Sequence, residues 1–91
     1  MDAMQSINLI AINPKIRRGR PYIVGTTVTV ADVAIAHIYH RQSADGIADW
    51  YSLSLPQVYA ALSYYYDHKE EIEQLLAEND EDKVMRETSA A

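Results

Sequence analysis

The first quarter of the chain carries two short apolar runs around a polar loop; everything after it falls into helical spacing. Residues 7–12, Ile-Asn-Leu-Ile-Ala-Ile, are rich in β-branched side chains, which predicts a strand ended by Asn13-Pro14. A basic loop closes on Gly19-Arg20-Pro21. Tyr22-Ile23-Val24 then predicts a second strand, Gly25-Thr26 a turn, and Thr27-Val28 an extension able to pair with it. Strands this short do not form a core alone. They need helices beneath them or another chain's strand beside them.

Thr29 opens the first predicted helix. Asp32 stands three residues on, in the position of a capping box, and Val30, Val33, Ala34 and Ile38 keep helical spacing to about His40. Ser43 caps a second, short helix, with Asp45 near its positive end and Ala44, Ile47, Ala48 and Tyr51 in one apolar stripe. Ser52-Leu53 is the turn. Ser54-Leu55-Pro56-Gln57 combines an N-cap, a proline in the first turn and the glutamine of a capping box. The third helix carries Val58, Ala61, Leu62 and Tyr65 on one face, and the same phase runs on through Lys69, Ile72 and Leu76. No Gly or Pro interrupts residues 57–79, so the pattern predicts one long helix or two abutting ones with a kink near Asp67-His68. The domain is expected to span residues 7–79, followed by an acidic, frayed tail over residues 80–91.

Residues 44–63 fit the spacing of a DNA-binding helix-turn-helix, in which two steeply crossing helices need apolar residues at fixed offsets and a small one at the crossing. Ile47, Tyr51, Leu53, Val58 and Ala61 fill the apolar offsets, and Ala48 is the small residue, expected to be buried. Ser52 departs from the pattern, standing where glycine is usual. The expected fold is mainly α: a three-helix helix-turn-helix core with a small N-terminal β element and a C-terminal helical extension. The same packing also serves protein-binding domains, so it does not select DNA. Base edges are read by Arg, Lys, Asn, Gln, Ser or Thr. The third helix offers only Ser54, Gln57 and Ser63, and the acids from Asp67 onward repel phosphate. Direct DNA reading and a degenerate, protein-binding motif therefore both stay open.

A chain of 91 residues sets the prior at one domain, small enough for a partner subunit to help its stability. Cysteine is absent, which excludes disulfides and thiolate zinc sites. No apolar run is long enough to span a bilayer, and the start, Met1 to Ser6, lacks a basic and then apolar leader, so a cytoplasmic location away from membranes is expected. The net charge of −5 is uneven: residues 1–41 hold five bases and two acids, residues 42–91 three bases and eleven acids. The basic part gathers in Lys15, Arg17, Arg18 and Arg20, a cluster suited to phosphates or an acidic partner and equally to a solvated loop. If DNA binds, Arg17, Arg18 and Arg20 are the expected phosphate contacts and Ser54, Gln57 and Ser63 the expected base contacts.

Trp50, Tyr51, Tyr59, Tyr64, Tyr65 and Tyr66 form an aromatic group. Three consecutive tyrosines sit about 100° apart around a helix and cannot all face one core. Tyr51 and Tyr65 are expected inside, Tyr64 and Tyr66 at a partner interface. The apolar run from Ile7 to Ile12 has few partners in its own chain, so a homodimer held partly by these strands is expected. His37 and His40 lie three apart, but no carboxylate completes a metal set on that helix, so neither a metal nor a cofactor is expected. No nucleophile-base set or phosphate loop emerges either, and an enzyme is not the expected reading.

The run Ile12-Asn13-Pro14, Gly19-Arg20-Pro21, Ile23, Gly25-Thr26 and Val28-Thr29-Val30 resembles the GRP-x-I-x-GTR signature of domain-of-unknown-function family 433. So do the later Ile47-Ala48, Tyr51, Leu53, Gln57-Val58, Ala61-Leu62, Tyr65 and His68. The resemblance covers about residues 7–75, and Thr27 stands where the family usually has arginine. It implies a homeodomain-like helical domain of antitoxin character. Such a protein neutralises a PIN-type nuclease toxin by binding it and represses its own operon by binding operator DNA. On that reading the acidic C-terminal helix covers a basic nuclease surface, with Ile72 and Leu76 joining Tyr64 and Tyr66 as partner contacts. The competing expectation is a protein-interaction domain that uses the helix-turn-helix only as architecture.

Overall fold

The computed structural model describes residues 8–78. Strand β1 (Ile10–Ala11), a 3-10 turn (Arg17–Gly19) and strand β2 (Tyr22–Ile23) are followed by helices α1 (Val30–Ile38), α2 (Ala44–Tyr51) and α3 (Leu55–Asp67). A fourth helical run, α4, covers residues 69–78. The architecture is mainly helical, with a small antiparallel two-stranded sheet near the N-terminus. Ile7, Asn79 and the tail, residues 80–91, lie outside the described residues.

The strands are shorter than the apolar runs that predicted them. β1 pairs with β2 in the register Ile10↔Ile23 and Ala11↔Tyr22, and the Val24 N–H donates to the Leu9 carbonyl at 2.9 Å just outside it. Gly25 then turns the chain at φ +82, a conformation that suits a residue without Cβ. The Thr26 N–H and hydroxyl both donate to the Ile23 carbonyl, at 3.0 and 2.8 Å. The chain returns so that the Ile23 N–H donates to the Val28 carbonyl at 2.9 Å and Tyr22 bridges Thr29. The sheet is thereby tied to the start of α1.

Helices α1, α2 and α3 each start on a side-chain cap. Thr29 Oγ1 accepts the Asp32 N–H and Asp32 Oδ2 accepts the Thr29 N–H, both at 3.0 Å, so the capping box at α1 is complete and satisfies a threonine that is almost fully buried. α1 ends at Ile38, earlier than its spacing suggested, because Arg41 turns left-handed at φ +53 and the Gln42 N–H closes back on the Ala36 carbonyl at 3.0 Å. Ser43 caps α2 by accepting the Gly46 N–H. At its end Ser52 takes the left-handed conformation (φ 56, ψ 46), and the Leu53 N–H donates to the Ala48 carbonyl at 2.8 Å. α3 stops where His68 leaves the helical region (φ −123, ψ 41), and α4 resumes with the Ile72 N–H donating to the His68 carbonyl. Two abutting helices, rather than one long one, are the outcome.

Ile23, Val30, Val33, Ala34, Ile47, Val58, Ala61 and Ile72 are fully buried, and Leu53, Leu62, Tyr65 and Leu76 close the same cluster. Each large aliphatic side chain so buried contributes about 1.5–3 kcal/mol. α1 packs most extensively on α3. Two expectations need correction. Ala48 is half-buried against the core, and the small residues fully enclosed are Ala34 and Ala61. Ile72 and Leu76 belong to this chain's own core instead of facing outward. The kink at His68 leaves the apolar phase of α3 unbroken, so both residues stay on the inward stripe of Val58, Leu62 and Tyr65.

Candidate functional site

The basic loop is tightly folded. Arg17 and Arg18 adopt left-handed backbone at φ 48 and 60, and Gly19 follows at φ 75. Such a conformation costs a non-glycine residue about 1–2 kcal/mol, so the loop holds its shape against local preference. The Arg17 guanidinium does the holding: Nη1 donates to the Thr27 carbonyl at 2.7 Å and to Asp32 Oδ2 at 3.1 Å. Asp32 is also the acid of the α1 capping box, so one carboxylate fastens the loop to the helix. The three arginines singled out from the sequence therefore separate. Arg17 is a structural anchor, Arg20 is half-buried with partners of its own, and Arg18 is exposed, as is Lys15.

The start of α3 shows a similar separation. Ser54 Oγ accepts the Gln57 N–H at 3.3 Å, and Gln57 Oε1 accepts the Ser54 N–H at 2.8 Å. The side-chain oxygens of two expected base readers are thus bound to each other's backbone. Ser63 is exposed, farther along the same outer face. There Pro56, Tyr59, Ala60, Ser63, Tyr64 and Asp67 form one wall of a groove of about 530 Å³. Asn8 and Ile10 form the other. Asp67 is the one charged side chain lining it, so the groove is weakly acidic and mostly apolar.

The tyrosine run divides three ways. Tyr65 is buried, and its hydroxyl donates to Glu73 Oε1 at 3.3 Å. Burial pushes its phenol pKa up, and the Glu73 carboxylate adds to that. Tyr64 is half-buried and stacks on His68, ring centroids 3.9 Å apart. Its pKa is also raised, first by burial and then by Glu71 and Asp67. Tyr66 is 57% exposed and meets Tyr65 edge-on at 5.0 Å. Tyr51 is half-buried against the core, its pKa raised by burial with a contribution from Asp32.

Two of the three histidines take structural positions. His37 Nδ1 lies 3.1 Å from the Gln42 carbonyl and His68 Nδ1 lies 3.1 Å from the Tyr64 carbonyl, so each bond requires the imidazole to donate. Among the described residues no three His, Asp or Glu side chains converge on a metal position. None of the described helices is long and apolar enough to cross a membrane. Sequence reasoning missed a second hollow of about 310 Å³ between α1 and α2, lined by Ile35, Ala36, His40, Gln42, Trp50 and Tyr51. Trp50 at its rim is 73% exposed. The only advance signal for it was Trp50 falling off the α2 apolar stripe.

A family model described as "Protein of unknown function (DUF433)" matches residues 10–65, more than half of the chain. Neither the curated proteins nor the solved structures give a match. The matched span takes in β1, the basic loop, β2, α1, α2 and all of α3 except its last two residues. The chain therefore belongs to domain-of-unknown-function family 433.

Proposed function

We propose that this protein is an antitoxin-like regulator, a homeodomain-like helix-turn-helix domain that neutralises a PIN-type nuclease toxin by binding it and represses its own operon by binding DNA. The observation that carries the helix-turn-helix part of this reading is the α2–α3 junction, and the antitoxin part rests on the resemblance to family 433. Two helices are joined by three residues, with Ser52 left-handed where such turns favour glycine and a complete capping box launching the second helix. Arg18 and Lys15 supply phosphate contacts from the basic loop, with Arg17 holding the loop in place and Arg20 beside it. Base contacts fall to Ser63 and to the amide nitrogen of Gln57, whose oxygen is engaged in the cap. The toxin-facing surface is Tyr66 with Tyr64 and the acids of α4, a chemistry suited to the cationic surface a nuclease presents to its polyanionic substrate. The cytoplasm, where operon DNA and a nuclease's RNA lie, is the compartment this reading requires.

A second reading is favoured by the chemistry of the α3 outer face. It carries no Lys or Arg, it ends in Asp67, and the cap oxygens of Ser54 and Gln57 are occupied. On this reading the protein is an interaction domain that uses the helix-turn-helix without binding DNA. Titration of the purified protein into labelled DNA from upstream of its own gene, at several salt concentrations, separates the two. The regulator binds with a steep salt dependence, and Arg18→Gln lowers the slope by about 1. Co-expression with a nuclease encoded next to the gene tests the antitoxin part. Failure to relieve that nuclease's toxicity, together with no DNA binding at low salt, overturns the proposal.

A further inference from the structure

Among the described residues no strand pairs with the outer edge of β1. Residues of an antiparallel pair alternate between exchanging hydrogen bonds and turning theirs away. The bond from Val24 to Leu9, at 2.9 Å, makes that pair an exchanging one, so the N–H and C=O of Ile10 point away from β2. The Ile23 N–H agrees with this alternation, since it donates to Val28 on the far side of β2. Ile12, next in phase along the same edge, is 58% exposed. Beside this edge runs the groove walled by Ile10 and by Tyr59, Ala60 and Tyr64 of α3. An open strand edge next to an apolar groove is a seat for one more extended, apolar segment.

We propose that this segment is β1 of a second copy, paired antiparallel about Ala11 so that Ile10 of each protomer stands opposite Ile12 of the partner subunit. Two features select a second copy. First, residues 8–12 carry no charge, and Ile12 lies on the same strand face as Ile10, so cross-strand pairing carries this exposed side chain into the partner's groove. Second, the edge is self-complementary. Ile10 and Ile12 each offer one donor and one acceptor, and a single twofold axis satisfies both protomers with the same bonds. The dimer stands independently of the regulator reading but bears on it. A strand in the groove covers Ser63 and Tyr64, so this dimer excludes base reading by Ser63 and leaves Tyr66 and the acids of α4 as the toxin-facing surface, whereas phosphate contact through Arg18 remains available.

The test uses the whole chain, which has no cysteine of its own. Ala11→Cys places one thiol per protomer at the axis, in a non-hydrogen-bonded pair whose Cα atoms lie about 4.5 Å apart, within disulfide reach. Sedimentation of the natural sequence is expected to give a dimer at micromolar concentration. Mild oxidation of the Ala11→Cys variant is expected to give a covalent dimer, while Val24→Cys, exposed just past β2, stays uncrosslinked. Ile12→Pro removes the outward N–H together with the isoleucine side chain that enters the partner's groove, and should weaken the dimer by about tenfold or more, with an unchanged far-ultraviolet spectrum. A monomer throughout the micromolar range overturns the proposal. So does a dimer that Ile12→Pro leaves intact, a result that stands even if the Ala11→Cys variant does not fold.

Discussion

Helices α1 and α3 begin alike and are used differently. Each starts on a hydroxyl cap closed by the side chain three residues on, Thr29 with Asp32 and Ser54 with Gln57. Left-handed residues other than glycine support both: Arg17 and Arg18 in the basic loop tied to the start of α1, and Ser52 in the three-residue turn before α3. At α1 the closing group is a carboxylate, and one oxygen of it takes both the Thr29 N–H and the Arg17 guanidinium. At α3 the closing group is a neutral amide, and its oxygen takes the Ser54 N–H. A capping acid can thus also anchor a distant cationic loop, while a capping amide has no charge to offer one. The loop before α1 is held in a strained shape by that double use, and the turn before α3 is held by its helices alone.

The largest expected effect is at the shared carboxylate. Asp32→Ala removes the anchor and leaves the N–H of the buried Thr29 without its acceptor, so it should cost about 1–3 kcal/mol. Gln57→Ala loses one exposed cap bond and should cost about 0.3–1.5 kcal/mol. Denaturant unfolding with unchanged m-values measures both. Equal losses would mean that Arg17 adds nothing to the α1 start.

Next come the left-handed positions, where glycine is the natural residue. Ser52→Gly and Arg18→Gly each relieve backbone strain and should gain about 0.5–1 kcal/mol, a rise of roughly 2–8 °C in Tm. Arg17→Gly relieves the same kind of strain but discards the bonds to Thr27 and Asp32, so its gain should vanish or reverse. Opposite signs at two adjacent arginines would sharpen the distinction between anchor and exposed cation. A gain at Arg17 equal to that at Arg18 would erase it.

Much of this was legible in the sequence because caps and periodicity are local. Thr29, Asp32, Ser43, Ser54, Gln57 and the stripe of Val58, Ala61, Leu62 and Tyr65 declare themselves within a few residues of each other, and the family motif rests on the same local pieces. The anchor was not legible, since Arg17 and Asp32 are fifteen residues apart and meet only because the sheet turns the loop back onto α1. For the same reason charge alone could not tell Arg17 from Arg18. Ala48 looked like the crossing residue from its spacing on α2. The tightest approach is instead decided by α1 lying on α3, which encloses Ala34 and Ala61. Ile72 and Leu76 showed their phase, but whether an apolar stripe meets its own chain or a partner depends on what packs against it.

The smallest effect is the salt dependence of the anchor, and it tests the comparison most directly. Arg17 and Asp32 are 42% and 27% exposed at their side chains, so their attraction is that of a solvent-screened pair and should contribute about 0–1 kcal/mol. A double-mutant cycle with Arg17→Gln and Asp32→Asn isolates it, because the Asn amide oxygen can still accept the Thr29 N–H and keep the box closed. In 1 M NaCl the Debye length falls to about 3 Å, and the coupling should shrink toward zero. The matching cycle with Ser54→Ala and Gln57→Ala involves no charge and should be the same at low and high salt. If the Arg17–Asp32 coupling is also indifferent to salt, the loop is held by the neutral bond from Arg17 to the Thr27 carbonyl. The two helix starts would then differ in geometry and not in charge.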